Sequence, residues 1–173
     1  MKNILSLLMI ATISICSYGQ GTQLEDTEVA SVAVVANQID IDYAQIALKK
    51  SDNKEIREFA NRMVNDHKAV IGQAAALVKK LGVDPKDNVV SQSLLKDAQE
   101  TIKKLKRTSK RQFDMAYINN EVTYHKAVIN AINSVLIPET ENDELKQLLS
   151  DVVPALEAHL GHAEMVQKNI KSH

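Results

Sequence analysis

The phrase "VNDHKAVI" at Val64–Ile71 returns as "VTYHKAVI" at Val122–Ile129, and aligning Phe59–Ile71 with Tyr117–Ile129 gives seven identities in thirteen positions. This does not establish duplication, but it sets His67 and His125 in the same apolar context. His159 follows Val152 and Leu156 on a third apolar stripe, and "EAHLGH" places His162 one turn beyond it. An imidazole turned into a core needs partners for both ring nitrogens. Asp40, Asp66, Glu121 and Glu157 lie close to the same faces, so those nitrogens can be satisfied by one another, by carboxylates or by a metal ion. Neutral imidazole with carboxylate is a donor set that suits iron, zinc or copper. The candidate metal ligands are His67, His125, His159 and Glu121. A purely structural polar cluster of the same side chains is the competing reading.

Helices must position these groups. The spacing of apolar residues predicts a first helix over Glu25–Lys50 with Asp40 set into its stripe, and a second over about Asn53–Leu81, capped at its start by Ser51-Asp52 and at its end by Gly82. A shorter one spans about Val90–Lys106. The fourth, about Ser109–Leu136, is broken at Pro138, and the fifth runs from near Asp143 toward the C-terminus, with Pro154 expected to bend it or mark an irregular turn. On these limits His125 lies about 16 Å before the end of its helix and His159 about 26 Å into the next, two turns out of register. No strand pattern competes. The expected fold is all-α, an antiparallel four-helix bundle with one additional short helix.

Composition narrows the function. "MKNILSLLMIATISICSYGQ" reads as a secretory signal peptide over residues 1–19, leaving one helical-bundle domain over 20–173, exported across the inner membrane to the periplasm or the outer membrane. Cys16 is the single cysteine. Ile15 precedes it where a lipoprotein signal wants a small residue, so removal with the signal is the expected fate, and the mature chain then has no thiolate for a disulfide, metal site or nucleophile. Nothing in the overall charge recruits nucleic acid. "KKLKRTSKR", Lys103–Arg111, holds six basic residues in nine; it reads as a solvated helix end, with peripheral contact to an anionic membrane surface as the alternative. No Gly-rich phosphate loop, nucleophile elbow or zinc-protease motif occurs.

Three segments, "IALKKSDNKEIREFANRMVNDHKAV", "FDMAYINNEVTYHKAVI" and "VVPALEAHLGHAEMV", resemble the exported bacterial domain-of-unknown-function family 4142 over nearly all of the mature chain. The family pattern is matched by the acidic pair Asp40 and Asp42, by Arg62–His67, and by Val122–Val128 with one residue fewer. The resemblance implies a ferritin-like bundle, periplasmic or outer-membrane-associated, and brings no established activity. The di-iron motif of ferritins, Glu three residues before His, is absent: Val64, Val122 and His159 stand three before His67, His125 and His162. The expected function is that of an exported binding or stress-associated protein, with a metal-binding bundle for storage or oxidoreductase chemistry as the alternative.

Overall fold

The structure is a computed structural model that describes residues 23–172. The expected signal peptide, Cys16 and His173 lie outside the described residues. The elements are α1 (Asp26–Lys50), α2 (Lys54–Leu81), α3 (Val89–Arg107), α4 (Lys110–Ala131), a π-helical turn (Ile132–Leu136) leading into α5 (Ile137–Glu139), and α6 (Asp143–Lys171). The fold is all-α, and the boundaries follow local chemistry. Glu25 and Glu28 form a reciprocal capping box at the start of α1. α2 is capped by Asn53, one residue past the expected Ser51-Asp52 pair, because its side chain accepts from the backbone of Glu55 and Ile56 at 2.9 and 3.2 Å. Gly82 ends α2 at φ 68°, the left-handed conformation that glycine adopts without steric penalty.

α1, α2, α6 and α4 pack in a ring. Neighbours in the ring are antiparallel. Asp52 after α1 pairs with Lys110 at the start of α4, and Asn169 near the end of α6 donates to Glu55 in the first turn of α2 at 3.1 Å. α2 and α4 therefore run in the same direction on opposite corners, and the chain needs a return stroke between them. α3 supplies it. It lies on α1, its N-cap Asn88 donating to the Glu28 carbonyl near one end, while Lys50 Nζ donates to the carbonyls of Leu105, Lys106 and Thr108 at the other.

Pro138 corrects the sequence reading, and at Pro154 the irregular turn, one of the two outcomes expected there, is absent among the described residues. Pro138 does not stop the fourth helix; the π-turn before it widens the coil, and helical structure continues to Glu139, with Thr140 closing it by a bond to the Leu136 carbonyl. Pro154 lies inside α6 without an irregular turn, on an exposed face where water can take up the carbonyl it leaves free. No helix among the described residues is long and apolar enough to cross a membrane.

Two apolar clusters fill the bundle. One, around Phe59, Met63, Phe113, Tyr117 and Val166, occupies the half holding the α1–α2 and α3–α4 turns. The other, around Val29, Val32, Ile132, Leu145 and Leu149, occupies the opposite half. A layer of buried polar side chains separates them.

Candidate functional site

All four bundle helices contribute to that layer: Asn37 and Asp40 from α1, His67 from α2, Glu121 and His125 from α4, His159 from α6. His67, His125 and His159 are only 4%, 1% and 2% exposed, and Asp40 and Glu121 are fully buried. The three imidazoles form a nearly equilateral triangle, with ring centroids 5.9, 5.4 and 5.6 Å apart. One nitrogen from each lies within 4.8 Å of the others.

The hydrogen bonds show which nitrogen of each ring is engaged and which is left over. Asn37 Nδ2 donates to the Ala33 carbonyl at 2.8 Å, which turns Asn37 Oδ1 toward His67; the 2.7 Å contact between them requires His67 Nδ1 to carry the proton. His125 Nδ1 donates to the Glu121 backbone carbonyl one turn earlier, at 2.9 Å. His159 Nε2 donates to Asp66 Oδ2 at 2.8 Å, and the same carboxylate receives Arg62 Nε at 3.2 Å. Three different acceptors, an amide, a carbonyl and a carboxylate, thereby set three tautomers. The remaining nitrogens, His67 Nε2, His125 Nε2 and His159 Nδ1, keep their lone pairs, are buried, and have no hydrogen-bond partner among the described residues.

Protonation does not relieve this arrangement at neutral pH. Burial, followed by the neighbouring imidazoles, pushes His67 down to about 3. Burial pushes His125 down to about 4 against the opposing pull of its backbone bond, and lowers His159 despite its bond to Asp66. Asp66 itself is held below its ordinary range, since the bonds from His159 and Arg62 outweigh its partial burial.

Asp40 Oδ2 stands 3.4 Å from His67 Nε2 and 3.5 Å from His125 Nε2. With the histidines neutral these are not ion pairs. Burial raises Asp40 to about 7, and burial together with the Asp40 charge raises Glu121 well above the usual carboxylate range. Atoms of Asp40, Glu121 and His125 fall within 4.8 Å of one another, so the two carboxyls hold at least one proton between them. Glu121 Oε2 approaches His125 at Nδ1, 3.8 Å away, the nitrogen already given to the backbone.

The structure thus brings together His67, His125, His159 and Glu121, and adds Asp40 and Asn37. Asn37 had no signal in the sequence beyond its place one turn before Asp40. Asp66 joins as the support of His159. Glu157 is exposed and takes no part. His162 is half-buried, stacked edge-on to Phe59 at 5.2 Å, outside the triangle. The register mismatch disappears with the correction at Pro138. Measured from Glu139, His125 is about 21 Å back along its helix and His159 about 24 Å into α6, so the two meet across the turn.

A family model described as a domain of unknown function, DUF4142, matches residues 16–166. No curated protein matches the chain. Among solved structures the fold resembles one described as CopM in the Cu(II)-bound form, with a TM-score of 0.62 and 17% identity, covering 84% of this chain and 98% of that one.

Proposed function

We propose that this chain, which belongs to the DUF4142 family, binds one first-row transition metal ion inside the bundle, through His67 Nε2, His125 Nε2 and His159 Nδ1 with Asp40 as the fourth donor. The observation that carries this reading is the set of three buried, unpartnered imidazole nitrogens on rings that form one close triangle, each on a ring whose other nitrogen is already engaged. Histidine ligands of metals are oriented in just this way, by donating the second N–H to a carbonyl, amide or carboxylate. Left without a cation, each buried acceptor forfeits about 1–3 kcal/mol.

The spacing of Asp40 to two of the imidazoles fits a four-coordinate ion. In a tetrahedral site with bonds of about 2.0–2.1 Å, neighbouring donors stand roughly 3.3–3.4 Å apart. The Asp40 oxygen already sits 3.4 and 3.5 Å from two of the nitrogens. Three imidazoles and a carboxylate suit zinc and copper, with iron a weaker fit in the absence of the ferritin Glu-x-x-His pairs. Copper is the first ion to test, because the bundle's fold is shared with a protein solved with Cu(II). Glu121 lies beside Asp40, close enough for the two carboxyls to share a proton. This makes the protein an exported metal-binding bundle, suited to holding or buffering the ion; four protein donors leave no position for a substrate, which argues against catalysis at the metal.

The polar-cluster alternative has one favourable observation, the proton held by Asp40 and Glu121. It does not suffice: two carboxyl protons cannot serve three nitrogens, and 3.4–3.5 Å is long for an O–H···N bond. Elemental analysis of protein purified without an affinity tag, after incubation with copper, zinc or iron and desalting, tests the reading. One equivalent of metal is expected, lost in His67→Ala, His125→Ala and His159→Ala while far-ultraviolet dichroism remains helical. Wild-type protein that stays metal-free with all three ions overturns it.

A further inference from the structure

The basic run at Lys103–Arg111 takes no part in the buried layer, and the fold gives it company. The α1–α2 turn, the α3–α4 turn and the end of α6 meet at one end of the bundle, tied by the Lys110–Asp52 pair, by Lys50 on the last carbonyls of α3, and by Asn169 on Glu55. Residues 49–58, 100–114 and 168–172 form that end. They hold twelve of the chain's 21 lysines and arginines against five of its 22 acids. The opposite end, where Lys86 is shared by Glu25 and Glu28 and where Asp26 caps the backbone at Glu141 and Asn142, is acidic. A chain of formal charge −1 therefore carries strongly opposed poles.

We propose that the basic end is a docking surface for an anionic lipid bilayer, and that the bundle stands on it end-on with its acidic pole directed away. Several features select a planar field of phosphates over other anions. Nine of the twelve cations are lysines, which act as point charges without the planar fork that reads one phosphate or one base. They come from the termini of five helices and form no glycine-rich cradle among the described residues; the open depression at this end is lined by Asn53, Lys54, Glu55, Asn169 and Ile170, so a single cation faces it beside a carboxylate. The aromatic rings at this end, Phe59 and Phe113, are fully buried, so nothing is available to stack on nucleobases. Large exposed apolar side chains are absent from these three segments among the described residues, so attachment is electrostatic and peripheral. Lys104, Lys106, Arg107 and Arg111 have no carboxylate within ion-pair distance among the described residues, leaving their charge to act outward. The acidic pole is repelled by the same surface, which fixes the orientation.

Co-sedimentation with vesicles tests this, comparing phosphatidylcholine alone with phosphatidylcholine containing about one-third phosphatidylglycerol. The triple variant Lys104→Gln, Lys106→Gln, Arg107→Gln is set beside Lys68→Gln, Lys79→Gln, Lys96→Gln, which makes the same change in net charge on exposed residues elsewhere. Binding to the anionic vesicles alone is expected, lost when salt is raised from about 0.05 to 0.5 M. At about a factor of five per cation near the surface, the basic-end triple should bind on the order of 100-fold more weakly, and the control close to wild type. Equal losses in the two triples would reduce the effect to net charge and overturn the proposal, as would absence of binding to anionic vesicles. Equal affinity for single-stranded RNA at matched salt would overturn the assignment to a bilayer.

Discussion

Asn37 illustrates how a residue with no obvious chemistry can decide what a histidine does. Its amide is locked by the Ala33 carbonyl, so its oxygen selects one His67 tautomer and aims Nε2 at the centre of the layer. Asn37→Leu should leave the helix intact and weaken metal binding by roughly 10–100-fold, the usual cost of losing such a support, measurable by competition with a chelator of known affinity. The buried titrations give a second test, made on metal-free protein. His67 and His125 have folded values below their unfolded ones, so acid favours the unfolded chain, and they subtract stability as pH falls from about 6.5 toward 4. Asp40 is raised to about 7 from an unfolded value near 4; its folded form holds the proton more tightly, so it adds stability over that same fall. The two trends oppose each other. Asp40→Asn removes the second, and its melting temperature should drop more steeply than wild type between pH 6.5 and 5. An unchanged slope would mean that Asp40 does not hold its proton more tightly in the folded chain than in the unfolded one. At this scale the sequence exposed the imidazoles, because histidine on an apolar stripe is conspicuous. It hid Asn37 and left Asp40 less prominent than Glu121, because partners of a buried ring are set by packing across helices and leave no local pattern.

At the scale of elements, helix identity followed from apolar period and end signals, and besides the start of α2 only the prolines misled. Both obey the rule that proline removes a helical donor, but the consequence depends on what surrounds it. Before Pro138 the backbone widens into a π-turn, and that extra helical length brings His125 level with His159. Pro154 faces water, so α6 continues through it at a cost. Pro154→Ala should therefore stabilise the protein by roughly 1–3 kcal/mol in denaturant melts. Lys50 makes the opposite kind of contribution. Its ammonium closes the last carbonyls of α3 and lies 5.1 Å from the Phe113 ring, joining three helices. Lys50→Met keeps the aliphatic stem and removes the donor, and should cost about 1–3 kcal/mol, seen as a lower denaturation midpoint with the helical signal preserved.

For the whole molecule, the buried layer is the point at which four helices are obliged to agree. Apolar clusters on either side hold the bundle without it, and the polar layer between them adds specificity that becomes stability when a cation is bound. Ligand present at about 100 times its dissociation constant adds about 2.7 kcal/mol, or roughly 5–10 °C in melting temperature for a domain of this size. The most direct measurement is anomalous diffraction from crystals of copper- or zinc-loaded protein, recorded at the absorption edge of the bound metal. A single strong peak is expected in the bundle interior, about 2.0–2.1 Å from His67 Nε2, His125 Nε2 and His159 Nδ1, with an Asp40 oxygen completing the shell. An interior without anomalous signal, or metal found only at the surface beside His162, would contradict it.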